Sequence, residues 1–240
     1  NGIILDPHTG HILAMAGSPS YNPNDYKRYN PEYFRNNVIS EQYEPGSTIK
    51  VISISDALSL ETDYLMEFDC EDGEYEIPNS NVTIHDHEPY GILSLEQVLI
   101  YSSNIGISKI SRLLGTEKVY KSLKRFGLGG KTGIELPAEE RGVVRNLDSW
   151  SRISQSMVSM GQEISVTNMQ LAMIYGAIAN TGYLLEPILI KSIDGFSSES
   201  MSTTKVVRKV INNIESKKII DMLTQAVDEG TGTNAKIPGY

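Results

Sequence analysis

The stretch TNMQLAMIYGAIA, residues 167–179, constrains the fold more than any other part of the chain. Thr167 followed by Gln170 is a capping box, which opens a helix over residues 169–179. That helix is apolar on most sides and has no broad polar stripe to turn towards water. It is expected to be buried, with other elements packed around it.

The elements available for that packing follow from the rest of the sequence. Residues 2–6 (GIILD) and 11–16 (HILAMA) are short apolar runs on either side of PHTG, which reads as a hairpin. Residues 18–37 are polar, rich in Tyr, Asn and Pro, and read as a surface excursion. A helix is predicted over residues 47–58. Residues 66–91 are acidic, with short β-like pieces, and predict a lobe or long loops. A second capping box, Ser94 to Gln97, opens a helix to about Ile100. YSSN interrupts it; a helix over about 105–114 follows, stopped by Gly115, and Thr116 can cap another that ends at Gly127. Residues 183–194 read as strand and 215–227 as an amphipathic helix, with a Gly-rich turn and no element after it. Strands, then mostly helices, then strand and helix make an α+β or mixed α/β protein, with the first hairpin joining a sheet with later strands.

Composition removes several function classes. With 240 residues and 40% hydrophobic content the chain has enough for a core, and it fits one large domain. The net charge of −9 comes without a basic stripe, which speaks against nucleic acid as a partner. A single cysteine, Cys70, rules out a disulfide framework within the chain. No run reaches the ~18 apolar residues of a membrane helix, and no signal peptide is visible. The sequence opens at Asn1 directly on an apolar run, and is read as a fragment whose targeting and anchoring segments lie outside it.

The chemistry is concentrated in EPGSTIKV, residues 44–51. Ser47 and Lys50 are three apart, and at helical spacing they share a face. The partial positive charge of a helix start, together with burial, disfavours an ammonium and lowers a lysine pKa. A neutral lysine can take the serine proton and make the hydroxyl a nucleophile, while free N–H groups at the helix start can stabilise an oxyanion. The plain alternative is that Ser47 after Pro-Gly serves as an N-cap. A second element favours chemistry: Ser102-Ser103-Asn104 supplies the S-x-N that accompanies S-x-x-K in serine–lysine acyl-transfer enzymes, at a break between two predicted helices. SSN can equally be a helix stop and the next N-cap, and the two readings are compatible.

On these motifs the chain resembles the transpeptidase domain of class B penicillin-binding proteins. The likeness extends to ILDPHTGHILAMAGSPSYNPN, RNNVISEQYEPGSTIKV, LSLEQVLIYSSNIGISKISRLLG, FGLGGKTGIELPAEERG, SMGQEISVTNMQLAMIYGAIANTG and DEGTGTNAKIPGY, almost the whole length. YEPGST and SSNIGISKI are more like the division and sporulation members than the elongation members. The resemblance implies an α/β sandwich, a five-stranded antiparallel sheet covered by helices, with a helical subdomain alongside; in this chain one or more of the sheet strands would be missing at the end. It implies D,D-transpeptidation of peptidoglycan stem peptides, with Ser47 as the acylated nucleophile and Lys50 as its general base. Ser102 would pass a proton to the leaving amine, and Asn104 would bind the substrate amide and fix Lys50. β-Lactams would acylate Ser47, no cofactor or metal would be needed, and divisome membrane proteins would be partners of the full protein. The domain would lie outside the cytoplasmic membrane, anchored through a segment beyond this chain. The rivals are a D,D-carboxypeptidase or β-lactamase, in which water resolves the acyl-enzyme, and a non-catalytic penicillin-recognising module.

Lys131-Thr132-Gly133 spells K-T-G but is read as a structural turn, because the family's K-T-G follows the GTGTNA segment on a strand lining the cleft. It is no phosphate loop either, since Arg125 stands where that motif needs glycine. The sequence ends at Tyr240, where the family would enter the K-T-G strand, so residues 1–240 are read as a transpeptidase domain truncated before its third motif. His85-Asp86-His87-Glu88 could ligate a metal if His85 and His87 shared a strand face, but no third ligand cluster is evident. Glu163 in GQE could be a deacylating base, though the resemblance places it in a structural loop. Trp150, ahead of a Ser-rich loop, is read as core, with packing near the cleft as the alternative, Cys70 as a small, partly buried residue, and Met157, Met160, Met169 and Met173 as core filling.

Overall fold

The computed structural model describes residues 1–60, 66–193 and 203–239. Strand β1 (Gly2–Leu5) pairs antiparallel with β2 (Ile12–Ala16) as the hairpin that PHTG predicts, with Asp6 accepting from the Gly10 N–H across the turn. The excursion that follows carries two 3-10 turns, Pro23–Arg28 and Pro31–Phe34, each with proline in its first turn and an asparagine side chain as its cap. A single turn, α1 (Asn37–Ser40), leads to the 3-10 helix Gly46–Ile49 and then α2 (Lys50–Leu58).

Helix α2 is buried at every position, which makes it the central helix of the molecule. Val51, Ile52, Ile54, Ala57 and Leu58 are in the core; each large apolar side chain so buried contributes roughly 1.5–3 kcal/mol. Its polar residues are satisfied locally or by neighbours: Ser55 donates to the Ile52 carbonyl at 2.7 Å, and Asp56 accepts from Ser122 and, at 2.5 Å, from Arg125.

The acidic segment forms two small antiparallel ladders. Strand β3 (Glu67–Asp69) pairs with β6 (Ile92–Ser94), and β4 (Glu74–Glu76) pairs with β5 (Thr83–His85). Helices α3 (Leu95–Ile100), α4 (Asn104–Leu114) and α5 (Thr116–Arg125) then surround α2. The Ser94–Gln97 box is formed as predicted. Thr116 is the first helical residue of α5, and the cap position belongs to Gly115 at φ 84°, where glycine is favoured.

Where the sequence suggests a Ser-rich loop, the chain forms α6 (Ser154–Ser159), packed on α4. Serine is a modest helix former, and tertiary hydrogen bonding decides here: Ser108 of α4 donates to Ser156 at 2.7 Å in the buried interface. Helix α7 (Asn168–Ala179) has its capping box, but it is enclosed on one face only. Leu171, Ala172 and Tyr175 are partly open, beside a surface cleft shared with Ile3 and Tyr43. Strand β7 (Tyr183–Leu185) is shorter than predicted. Pro187 cannot donate to a ladder, the chain resumes contact at Ile188 by bridging His11, and residue 194 lies outside the described residues. Strand β8 (Val206–Lys209) pairs antiparallel with β7. Helix α8 (Asn213–Asp228) is capped by Asn212 with Glu215, and a 3-10 turn, Thr233–Ala235, occupies the Gly-rich tail.

Among the described residues the strands form four two-stranded antiparallel sheets rather than one sheet of five. The β1–β2 and β7–β8 pairs approach each other through the His11–Ile188 bridge, with helix α7 packed against β1 and β7 and helix α8 lying against α7, α2 and α3.

Candidate active site

Ser47 and Lys50 are brought together by the 3-10 helix Gly46–Ile49. In that geometry residues i and i+3 eclipse, so the two side chains share a face more directly than in an α-helix. The Lys50 N–H donates to the Ser47 carbonyl. The cap alternative for Ser47 does not hold: Pro45 occupies the cap position, with no side-chain cap bond. The turn is held from outside. The Gly46 N–H donates to Gly161 O at 3.1 Å, Thr48 Oγ1 donates to Pro45 O at 2.8 Å, and Tyr175 Oη donates to Thr48 O at 2.9 Å.

Lys50 has no exposed surface. Its Nζ donates to the Ser102 carbonyl at 2.5 Å, to Ser102 Oγ at 3.1 Å and to Asn104 Oδ1 at 2.8 Å. Those three acceptors take the three protons of an ammonium. Burial pushes Lys50 down from 10.5 to about 8, against the opposing pull of the Asp86 carboxylate. None of its bonds goes to Ser47, which is exposed and lines a solvent-open cleft of about 320 Å³ with Thr83, His85, Asn104, Met157, Met160 and Gln162. The four residues singled out in the sequence thus fall into one region: a hydroxyl at the cleft wall, a buried amine one turn further along the same segment, and a hydroxyl and an amide that grip the amine.

The second element is built with strain. Ser102 has φ 56°, a left-handed backbone uncommon for a residue other than glycine. This conformation accompanies the approach of both its carbonyl and its hydroxyl to Lys50. Ser103 caps α4, its Oγ accepting from the Gly106 N–H at 2.8 Å. Asn104 Nδ2 donates to His85 O at 3.0 Å, which leaves one N–H for the cleft.

The other candidates have structural partners. Thr132 donates from N–H and Oγ1 to Glu139 Oε1 at 2.6 and 2.5 Å, and the Gly133 N–H donates to Oε2 at 3.3 Å, so the K-T-G turn closes on a carboxylate of its own chain away from Ser47. Glu163 pairs with Arg145, and its N–H donates to Glu44 Oε1 at 2.9 Å, tying the GQE loop to the segment before Ser47. His87 lies beyond the end of β5, so it does not share a strand face with His85, and among the described residues no three His, Cys, Asp or Glu side chains converge. Trp150 packs edge-on against Tyr120 and donates to Arg145 O at 3.1 Å. Cys70 is buried, its thiol pushed up by burial. Met169 and Met173 are core, whereas Met157 and Met160 reach both the core and the cleft wall.

The sequence reading misses Gly161, Tyr175 and Asp86. Gly161 and Tyr175 hold the Ser47 turn from more than a hundred residues away, and no local pattern could reveal them. Asp86 was visible only as part of a possible metal cluster; its bonds go to the SSN segment instead.

A profile of the penicillin-binding protein transpeptidase domain matches residues 2–240. The chain is 32% identical over 242 residues to a probable peptidoglycan D,D-transpeptidase PbpC of Pseudomonas aeruginosa, with all of this chain and 41% of that protein covered. It is 33% identical to stage V sporulation protein D of Bacillus subtilis, over 99% of this chain and 38% of that one. It is also 33% identical to the peptidoglycan D,D-transpeptidase FtsI of Escherichia coli K12, over 100% and 39%. The chain thus spans about two fifths of the length of these relatives. The crystal structure of penicillin-binding protein 3 from Mycobacterium tuberculosis in its apo form superposes with a TM-score of 0.87 at 30% identity, covering 99% of this chain and 55% of that one. By profile, sequence and fold, the chain belongs to the penicillin-binding protein transpeptidase domain family.

Proposed function

We propose that this chain carries the acylating site of a peptidoglycan D,D-transpeptidase of the division type. The observation that carries the reading is the buried Lys50 amine, held by Ser102 and Asn104 one turn from the Ser47 hydroxyl.

In this reading Lys50 acts in its neutral form. Its depressed pKa makes that form accessible near neutral pH. Ser47 Oγ attacks the penultimate D-alanine carbonyl of a stem peptide, and its proton passes to Lys50 Nζ. The tetrahedral oxyanion is met by the backbone N–H of Ser47 in the 3-10 turn, the Gly46 N–H being taken by Gly161 O. The C–N bond then breaks, Ser102 Oγ relays a proton to the departing D-alanine amine, and an ester on Ser47 remains. The amine of a neighbouring stem attacks that ester, the C–O bond breaks, and Ser47 recovers its proton as the new amide forms. The free N–H of Asn104 binds the substrate amide. A β-lactam follows the first half only, because its leaving nitrogen stays tethered after the ring opens.

Stem peptides are the substrates and β-lactams the covalent inhibitors in this reading, with divisome membrane proteins as partners of the full-length protein and the domain on the extracytoplasmic side. Among the described residues no helix is long and apolar enough to cross a membrane. The test is intact-protein mass after incubation with benzylpenicillin, for the wild type and Ser47→Ala. A gain of one penicilloyl group, absent from the variant, is expected; labelling that persists in Ser47→Ala would overturn the assignment. A cross-linked dimer from stem-peptide substrates separates transpeptidation from hydrolysis.

A further inference from the structure

The S-x-N segment is a strained backbone that needs an external anchor. Ser102 at φ 56° delivers its carbonyl and hydroxyl to Lys50, and the helix start that follows presents N–H groups with no intrahelical acceptor. One carboxylate takes up that end of the helix. Asp86, on the loop after β5, accepts from Ser103 Oγ at 2.6 Å through Oδ2, and through Oδ1 from the Asn104 N–H at 2.5 Å and the Ile105 N–H at 3.0 Å. Its own N–H donates to Gly73 O at 3.1 Å, so the acid is fixed to the small ladder region rather than to α4. A carboxylate at a helix N-terminus is favoured by the dipole, and hydrogen bonds to an ionised acceptor are stronger than neutral ones.

We propose that Asp86 is a positioning residue for acyl transfer: its carboxylate anchors the start of α4 and so holds Ser102 and Asn104 in register against Lys50. This rests on the acyl-serine reading above and adds to it a residue that touches no substrate. Asp86 acts in two ways. Mechanically, it ties down residues 103–105 and so fixes the chain directly after Ser102. Electrostatically, its negative charge favours the protonated amine and so sets how far burial alone can depress Lys50.

The charges around this point are few. Lys50 on α2 feels Asp86, while the groups that grip it from α4 and its preceding turn, Asn104 and Ser102, are neutral. Asp86 in turn faces the Cys70 thiol and the Tyr90 phenol, both neutral at pH 7 with burial raising them further. Lys109 is engaged with Glu71 and the Asp69 carbonyl.

The experiment compares wild type, Asp86→Asn and Asp86→Ala by three readouts. The first is the NMR titration of the Lys50 ε-carbon. The second is hydrogen exchange of the Asn104 and Ile105 amides. The third is the rate of labelling by a fluorescent penicillin against pH. In Asp86→Asn the fold is kept and the charge removed, so the Lys50 midpoint is expected to fall below the wild-type value, and the rising limb of the labelling profile to move to lower pH with it. In Asp86→Ala the two amides are expected to lose protection while those of α2 stay protected, and labelling to slow by about 100-fold, the scale of a small misplacement of reacting groups.

An unchanged Lys50 midpoint in Asp86→Asn together with unchanged protection in Asp86→Ala would overturn the proposal. A purely structural acid would lower the yield of folded protein in both variants and leave the midpoint where it was, which also overturns it. Failure of the acyl-serine reading looks different: the wild type takes no label on Ser47, while the NMR readouts still report on Asp86.

Discussion

Gly161 lies directly against Gly46. A methyl group built on Gly161 would stand 2.1 Å from the Gly46 carbonyl oxygen and 2.6 Å from its nitrogen. The contact is backbone against backbone, so no side chain can swing away to make room. Gly161 also has φ 82°, where a side chain is disfavoured. Gly46 immediately precedes Ser47, so a side chain at 161 pushes on the turn that carries Ser47. Gly161→Ala is expected to destabilise the fold by about 1–3 kcal/mol, read by thermal denaturation. Penicillin labelling per folded molecule should fall at least tenfold, roughly the cost of displacing a reacting group by a fraction of an ångström. Labelling at the wild-type rate in a folded variant would show that the turn is not set by this contact.

Lys50 makes acylation pH-dependent with a definite sign. In the proposed mechanism the neutral amine is the base, and burial lowers Lys50 to about 8. Labelling should therefore rise with pH through about 8 and level off above it. The same shift acts on stability. The folded value is depressed below 10.5, so between about 8 and 10.5 the unfolded chain binds more protons than the folded one. Stability contributed by this residue is thus lowest below the folded midpoint and rises with pH across that window. Lys50→Met should remove this slope from a series of denaturation curves and abolish labelling. A wild-type labelling rate that is flat from pH 6 to roughly 9 would count against a titrating amine as the base.

The parts of the fold that could be read from the sequence are those whose signals are local. The boxes Ser94–Gln97 and Thr167–Gln170 mark their helices because cap and partner lie three residues apart. The Asn212–Glu215 box has the same form, but the predicted helix begins at Glu215 and so leaves its own cap outside. Helix α6 is hidden because a run of serines has little intrinsic preference, and its burial against α4 decides. Ser47 and Lys50 were legible because one turn holds both. Their setting was not: Asp86 stands 17 to 19 residues from its partners, and Gly161 reaches Gly46 across the fold. Motif spacing identifies reacting groups, whereas the groups that hold them are specified only by tertiary structure.

Tyr175 offers a test of that second kind of residue. Its hydroxyl donates to Thr48 O at 2.9 Å, and burial pushes it up to about 12. It therefore stays protonated, and a donor, throughout the range in which Lys50 titrates. Tyr175→Phe removes one hydrogen bond and little volume. The expected loss is about 1 kcal/mol of stability, with labelling slowed several-fold and its pH midpoint unchanged. A shifted midpoint would mean that Tyr175 acts on Lys50 itself rather than on the turn.

The K-T-G tripeptide at 131–133 separates structural from catalytic use of one motif. The N–H and hydroxyl of Thr132 and the N–H of Gly133 converge on the Glu139 carboxylate, which is 6% exposed, so the turn's donors are already occupied. Glu139→Ala leaves those donors without their acceptor, in a turn where Lys131 and Gly133 are exposed and Thr132 is half-buried, so water replaces the carboxylate in part. It should cost about 1 kcal/mol, the net worth of a typical hydrogen bond. Lys131→Ala touches no such bond and should change stability by less than about 0.5 kcal/mol. Neither substitution should alter penicillin labelling per folded molecule, because the turn does not line the cleft that contains Ser47. If Lys131→Ala slowed acylation while the protein remained as stable as the wild type, this tripeptide would belong to the active site and its assignment as a structural turn would be wrong.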